Sequence, residues 1–251
     1  MPEAPPTLEG WFALHDFRRL DGPRWRQLDA VDRERLIAEL AEFCRAASAH
    51  EDAEEGASAV YTILGHKADL LLLHLRPTVD ELNELERRFA ALRVADYWTG
   101  AYSYVSVTEL GQYEAAARGV TGDPMQVPFV IARLKPQIPD KRYISFYPMS
   151  KKRHPADNWY MLPLEERRDL MRTHGSIGHR YHGQVIQMIT GSVGLDDWEW
   201  GVTLHADDPL VFKKLVYEMR FDEGSARFAE FGPFLLGIRR QPDELRAVLA
   251  G

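Results

Sequence analysis

The feature that most constrains the fold of this chain is one order of strands and helices that occurs twice. In the first half, alternating apolar residues predict strands, and apolar residues three or four apart predict helices. The predicted elements are a strand at 11–17, a helix at 32–47, strands at 59–64 and 70–76, a helix that begins at the capping box Thr78-Val79-Asp80-Glu81, and a strand at 102–108. Their order, β-α-β-β-α-β, is that of a ferredoxin-like unit.

The same order recurs in the second half, although the halves share no residue-level identity. The predicted elements are a strand at 143–147, a helix at 163–173, strands at 185–190 and 200–205, a helix at 208–220 and a strand at 234–239. We therefore expect a duplicated α+β fold with an N-terminal half at 1–110, a Pro- and Gly-rich connection at 111–139 and a C-terminal half at 140–251. Each half has a sheet with helices on one side, so the uncovered sheet faces must pack on each other or on a partner chain.

Composition favours a cytoplasmic protein with a sizeable core. The chain has 251 residues, of which 45% are hydrophobic. No apolar run approaches the ~20 residues that a membrane span needs, and the N-terminus lacks the pattern of a secretory signal. Cys44 is the only cysteine, which excludes an intrachain disulfide, a thiolate zinc cluster and a Cys-x-x-Cys-His attachment site.

Positive charge is concentrated in one stretch of an acidic chain. The chain carries 31 Lys and Arg against 38 Asp and Glu, a formal net charge of -7. Residues 131–153 contain one acidic residue, Asp140, and seven basic residues: Arg133, Lys135, Lys141, Arg142, Lys151, Lys152 and Arg153. A protein that binds nucleic acid more often spreads basic residues over a whole face, so we expect a small anion here and no nucleic acid. A solvated charged loop is the alternative.

The histidines and the glycine-rich turn have structural explanations as well as functional ones. His15, His66, His74 and His205 lie in or beside predicted strands, where hydrogen-bonded structural roles are expected. His174, His179 and His182 follow a predicted helix, but a spacing of five places His174 and His179 on different helical faces, which disfavours zinc. We interpret 191–194 as a hairpin turn and the acidic residues 196–199 as a solvated turn rather than a divalent-metal site.

Several blocks resemble the coproheme decarboxylases, in particular the type found in Gram-positive bacteria. These enzymes belong to the chlorite dismutase-like superfamily. The blocks are QMITGSVGLDD at 187–197, EWGVTL at 199–204, FKKLVYEMRFDE at 212–223, YSYVSV at 102–107 and DNWYML at 157–162. They extend over nearly the whole chain. The resemblance implies two ferredoxin-like halves whose sheets form a barrel (a dimeric α+β barrel), and assembly into a homopentamer.

The resemblance also implies a reaction and a set of residues for it. The substrate and redox cofactor is iron coproporphyrin III, hydrogen peroxide is the oxidant, and propionates 2 and 4 become vinyl groups to give haem b. Tyr147 corresponds to the radical-carrying tyrosine, His174 to the axial iron ligand, and Gln187 to a residue on the open side of the iron. The implied propionate-binding residues are Arg133, Tyr147, Pro148, Met149, Ser150, Lys151 and Ser225. Relatives carry several arginines before Arg133, whereas this chain has Ile131 and Ala132.

Two other functions for the same chain are considered. Chlorite dismutation uses a distal arginine in relatives, and the neutral Gln187 argues against it. A non-catalytic haem carrier or sensor needs His174 but not Tyr147. The Gly-x-x-Asp-Gly motif of dye-decolorising peroxidases is missing from the sequence. A transient contact with a ferrochelatase is a further expectation.

Overall fold

The computed structural model describes residues 4–48, 55–111 and 122–250. Its strands are β1 (Thr7–Leu20), β2 (Ala57–Ile63), β3 (Leu70–Arg76), β4 (Trp98–Gly111), β5 (Tyr143–Lys151), β6 (Arg153–His154), β7 (Asp157–Asn158), β8 (Ile186–Gly191), β9 (Trp200–Ala206), β10 (Ala229–Phe231) and β11 (Leu235–Arg240). Its α-helices are α1 (Gly22–Gln27), α2 (Ala30–Ser48), α3 (Val79–Ala90), α4 (Pro128–Leu134), α5 (Leu164–His179), α6 (Leu210–Met219), α7 (Glu223–Ala226) and α8 (Leu245–Leu249). No helix in the described part of the chain is long and apolar enough to cross a membrane.

Eight strands form a closed antiparallel barrel, which confirms the predicted fold class. The strand order is β5-β11-β2-β3-β1-β4-β8-β9, and pairing of β9 with β5 closes the barrel. The N-terminal four strands lie in the order β2-β3-β1-β4 and the C-terminal four in the order β11-β5-β9-β8, the same topology in both halves. The halves join where β2 pairs with β11 and β4 pairs with β8.

The interior of the barrel is built from both halves. Phe146 of β5 lies between Phe17 of β1 and Tyr104 of β4, with ring centroids 5.6 and 5.3 Å away. The helices cover the outside: α2 and α3 pack on the N-terminal sheet, and α6 packs on the C-terminal sheet. The sheet faces left uncovered by helices therefore pack on each other within one chain.

Buried histidines occupy the sheets as expected, although not all of them are bonded. His15 Nε2 lies 2.9 Å from Thr203 Oγ1 inside the barrel, and His74 Nδ1 lies 2.7 Å from Ser58 Oγ. Both ring nitrogens of His205 are buried and have no partner among the described residues. His66 is exposed in the turn between β2 and β3.

The structure also departs from the sequence predictions. Strand β1 extends beyond 11–17 at both ends because β4 pairs with it from Thr7 to Leu20. The predicted connection contains α4, which packs so closely on β1 that a side chain on Gly10 would collide with the backbone of Leu134. Residues 112–121 of the connection lie outside the described residues. Helix α1 and the short hairpin β6–β7 were not predicted.

Candidate functional site

An apolar cavity of about 280 Å³ lies outside the barrel, between the C-terminal sheet and helices α5 to α7. Side chains from β5, β8 and β9 form the sheet wall of the cavity. Helices α5 and α6 contribute Met171, His174, Leu215, Val216 and Met219 to the opposite wall. Polar side chains are few, which is typical of a small-molecule site in which a few groups set orientation.

The alternation of β5 decides which predicted residues reach the cavity. Tyr147, Met149 and Lys151 line it, because every second side chain of a strand points to the same face. Pro148 and Ser150 are not among the described residues that line it; Ser150 Oγ instead accepts a hydrogen bond from the backbone N–H of Glu199. The backbone of this strand is a central part of the sheet wall, because β5 pairs with β9 throughout Tyr143–Met149.

Tyr147 is held in the sheet wall by aromatic neighbours. Its ring stacks on Phe234 with centroids 4.4 Å apart and lies 5.9 Å from Phe231. Burial raises the pKa of the Tyr147 hydroxyl to about 12, against the opposing effect of the Arg220 guanidinium. Within the described part of the chain, no residue forms a hydrogen bond with this hydroxyl, so the phenol in the cavity wall is neutral and available to a ligand.

A buried carboxylate orients His174 on the helix wall. Asp222, whose side chain is 0% exposed, places Oδ2 2.9 Å from His174 Nδ1. The same oxygen accepts a hydrogen bond of 3.1 Å from the backbone N–H of Ser225. A carboxylate can only accept, so the Nδ1 proton of a neutral His174 points to Asp222 and the Nε2 lone pair is left for a ligand.

The position of His174 in its helix differs from the prediction. We expected His174 to follow the helix, but α5 continues to His179. His179 and His182 stack with ring centroids 5.7 Å apart, and neither lines the cavity with His174. Within residues 4–48, 55–111 and 122–250, no group of three His, Cys, Asp or Glu side chains is arranged to hold a metal ion. The zinc interpretation therefore has no structural support.

Lys151 and Ser225 are the polar donors on the side of the cavity near α7. Lys151 Nζ donates to the carbonyl oxygen of Gly224 at 3.2 Å and lies 4.1 Å from the ring centroid of Trp159. Burial lowers the pKa of Lys151 to about 8, while the carboxylates of Asp222 and Glu199 counteract that decrease. At pH 7 the ammonium is therefore mostly protonated and can bind an anion.

Gln187 and Trp200 occupy the sheet wall on β8 and β9. Gln187 is exposed, and no described residue forms a hydrogen bond with its amide. The indole N–H of Trp200 donates to Glu109 Oε1 at 2.9 Å. Arg133, on α4, is not among the described residues that line the cavity. Burial raises the pKa of Glu109, and the positive charge of Arg133 opposes that increase.

The basic stretch does not act as one cluster. Lys135 pairs with Glu55, Lys141 with Asp207, and Arg153 with Glu199. Of the seven basic residues, Lys151 is the one that lines the cavity among the described residues. The basic stretch thus contributes Lys151 to the cavity wall, while Lys135, Lys141 and Arg153 form ion pairs.

The acidic turn at 196–199 is not simply solvated, which corrects our interpretation. Asp196 Oδ2 accepts a hydrogen bond from the backbone N–H of Val105 at 2.8 Å. Glu199 is only 7% exposed and accepts from the backbone N–H of Lys151 at 2.7 Å. Sequence reasoning also missed Asp222, although it lies in a block that carried the family resemblance, because its partner His174 is 48 residues away.

The fold and the cavity define a closed two-half α+β barrel protein with a histidine-bearing apolar site on its outer face. The sequence model of the family described as Chlorite dismutase matches residues 33–240, and the chain belongs to this family. A structure from Thermus thermophilus, described as a novel heme-binding protein, is 48% identical with a TM-score of 0.92, over 100% of this chain and 99% of that chain.

More distant structures share the fold. A mutant chlorite dismutase from Candidatus Nitrospira defluvii is 20% identical with a TM-score of 0.78, over 97% of each chain. A double mutant of the same enzyme is 21% identical, with the same TM-score and the same coverage of both chains. At this level of identity the similarity concerns architecture and carries no conclusion about the reaction.

Proposed function

We propose that this protein catalyses the peroxide-dependent oxidative decarboxylation of iron coproporphyrin III, converting propionates 2 and 4 to vinyl groups and yielding haem b. The observation that carries the proposal is the placement of Tyr147 and His174 in one cavity, on its sheet and helix walls respectively. A histidine ligand and an oxidisable phenol beside the same bound tetrapyrrole are what this reaction needs.

The residues present fit an iron porphyrin. Apolar side chains suit a flat macrocycle, His174 Nε2 is left for an axial bond, and Lys151 and Ser225 supply donors for carboxylate side chains. When bound, the iron supplies the redox chemistry, with hydrogen peroxide as the oxidant. Gln187, on the sheet wall opposite α5, can place its neutral amide on the open side of the macrocycle.

Tyr147 carries the reaction to the propionate. Because burial keeps the phenol neutral, loss of an electron is accompanied by loss of the hydroxyl proton, which gives a neutral tyrosyl radical. This radical takes a β-hydrogen atom from the propionate and restores the phenol. Cleavage of the bond to the carboxylate then releases carbon dioxide and leaves one further electron for the iron. Each vinyl group thus requires removal of two electrons, which one peroxide accepts on reduction to water.

Haem carriage is the second candidate, favoured by the 48% identical structure described as a heme-binding protein. A carrier would use His174 and Asp222 and would have no requirement for the Tyr147 hydroxyl. Chlorite dismutation is less well supported, since Gln187 lacks a positive charge to hold an oxyanion. The homopentamer, the ferrochelatase contact, the cytoplasmic location and the division at 1–110, 111–139 and 140–251 stay predictions.

The variant Tyr147→Phe separates the decarboxylase from the carrier. We expect this variant to bind coproheme with nearly unchanged affinity and to form no vinyl product on addition of peroxide, because the ring is retained and the hydroxyl is lost. Products are followed by mass spectrometry, in which each turnover removes one carboxyl group. Tyr143→Phe, on the same strand face, is the matched control. Two successive carboxyl losses at the wild-type rate in Tyr147→Phe would contradict the proposal.

A further inference from the structure

Glu199 joins three segments beside the cavity. Its side chain is buried; Oε2 accepts the backbone N–H of Lys151 at 2.7 Å, and Oε1 accepts Arg153 Nη1 at 2.8 Å. Its backbone N–H donates to the carbonyl oxygen of Met149 at 3.1 Å, and its carbonyl oxygen accepts from the Ser192 N–H at 2.9 Å. One residue therefore ties the end of β5 to the β8–β9 hairpin.

The third segment is the strap, residues 152–162, which follows β5 and contains hairpin β6–β7. The backbone N–H of Lys152 donates to the Phe228 carbonyl at 2.7 Å, and that of Trp159 donates to the Lys152 carbonyl at 3.1 Å. Trp159 lines the cavity and contacts the Lys151 ammonium. Through Arg153, Glu199 therefore also fixes the start of the strap.

We infer that Glu199 is a positioning residue that holds the backbone and the ammonium of Lys151 at the cavity, so that a carboxylate of the bound substrate is recognised there. The inference deepens the proposed function and rests on it for the identity of that carboxylate. Removing Glu199 would leave the Lys151 N–H and the Arg153 guanidinium without the buried acceptor that they share.

The charge of Glu199 has a second effect that a purely structural role does not have. The carboxylates of Asp222 and Glu199 lie near the Lys151 ammonium, and both oppose the decrease in its pKa that burial causes. The Gly224 carbonyl and the Trp159 ring, which contact the ammonium, also favour the charged form. Glu199 therefore contributes both the position of Lys151 and its protonation at neutral pH.

The test measures Lys151 in the full-length chain without porphyrin. Trace acetylation by acetic anhydride across pH, quantified by peptide mass spectrometry, reports the pKa of Lys151. In Glu199→Gln, which keeps the shape and one acceptor oxygen, we expect this pKa to fall below its wild-type value of about 8. A decrease of about 1 lowers the protonated fraction at pH 8 about fivefold, and coproheme affinity at that pH should fall by the same factor. Glu230→Gln, a more exposed acid beside the strap, is the matched control and should change neither quantity.

A second variant covers the case in which Glu199→Gln does not fold. Arg153 is 67% exposed, so Arg153→Ala should fold; it removes the cation that neutralises Glu199, and we expect the pKa of Lys151 to rise above about 8. An unchanged Lys151 pKa in folded Glu199→Gln or in Arg153→Ala would overturn the inference. These titrations need no porphyrin, so failure of the wild type to produce haem b would reject the proposed function while leaving this result in place.

Discussion

The two carboxylate oxygens of Asp222 lie in different environments. Oδ2 contacts His174 Nδ1 and the Ser225 N–H, whereas Oδ1 is buried and has no partner among the described residues. The contact of Asp222 with the imidazole therefore runs through Oδ2, which the Ser225 N–H also holds in place. Such a partner fixes the ring orientation and increases the basicity of the opposite nitrogen.

Replacing Asp222 by Asn should weaken iron binding without removing the ligand. The amide oxygen can still accept from Nδ1, but the negative charge that makes Nε2 more basic is lost. We expect haem b affinity to fall about 10-fold and the iron(III)/iron(II) midpoint potential to rise, measured by spectroscopic titration and potentiometry. Asp169→Asn, an exposed acid on α5, is the control. Wild-type affinity and potential in Asp222→Asn would show that the contact has no role in ligation.

At the scale of elements, α5 shows how packing extends a helix beyond its local signals. Gly175 and Gly178 lower the helix propensity after Thr173, which is why the sequence predicted an earlier end. The helix nevertheless continues to His179, because α6 lies against it: a side-chain carbon on Gly178 would sit 3.4 Å from Met219 Cε. This extension places His174 within a rigid helix and not in a loop.

Gly175→Ala should stabilise the protein. Gly175 is exposed and its φ is not positive. Among the described residues, no atom outside the adjoining helix backbone lies within 4 Å of the added Cβ, so alanine removes backbone entropy from the unfolded state at no steric cost. We expect the free energy of unfolding in urea to increase by about 0.5–1 kcal/mol. Gly194→Ala should destabilise instead, because Gly194 has a φ of +81°. A decrease in stability for Gly175→Ala would indicate that α5 is strained at this point.

At the scale of the whole molecule, closing the barrel buries polar groups as well as apolar ones. His15 and His205 lie inside the barrel, and His74 lies under the N-terminal helices. Burial lowers the pKa of each of the three to about 3. In the unfolded chain their pKa is near 6.5. Between these values the unfolded state binds more protons, so stability decreases as the pH falls from 6.5 towards 3.

His15→Gln should reduce this acid sensitivity. Glutamine can keep a hydrogen bond to Thr203 but does not titrate. The unfolding free energy should therefore fall less steeply between pH 6 and pH 4, because the number of protons bound on unfolding decreases by up to one. Urea unfolding at several pH values gives the slope. Burial raises the pKa values of Asp16 and Glu109, and this increases the stability of the folded protein as the pH falls. The slope of the variant is therefore compared with that of the wild type, in which the same acids are present. His66→Gln is the exposed control; an equal change of slope in both variants would contradict the assignment.

The sequence by itself determined the elements whose signals are local. Strand β3 was predicted with its observed bounds, Leu70–Arg76, because its apolar run ends at the capping box of α3. In that box Thr78 and Glu81 bond each other's backbone N–H, as their spacing of three predicts. The twofold β-α-β-β-α-β order likewise follows from periodicities of two and 3.6 residues. The basic stretch 131–153 and the blocks 187–197, 199–204 and 212–223, which resemble a family, were the segments in which the sequence predicted site residues.

Only the tertiary structure decided which distant groups meet. Pairing of β5 with β9 closes the barrel by joining residues as distant in sequence as Tyr143 and Ala206, and no local pattern specifies that choice over an open sheet. The contacts His174–Asp222 and Lys151–Glu199 each join residues 48 apart. Glu199 was interpreted as solvated because it follows Asp196 and Asp197 in an acid-rich turn, yet long-range strand pairing buries it. Burial, and with it the pKa values of Tyr147 and Lys151, depends on what the whole chain packs around a residue, and that information is absent from its local sequence.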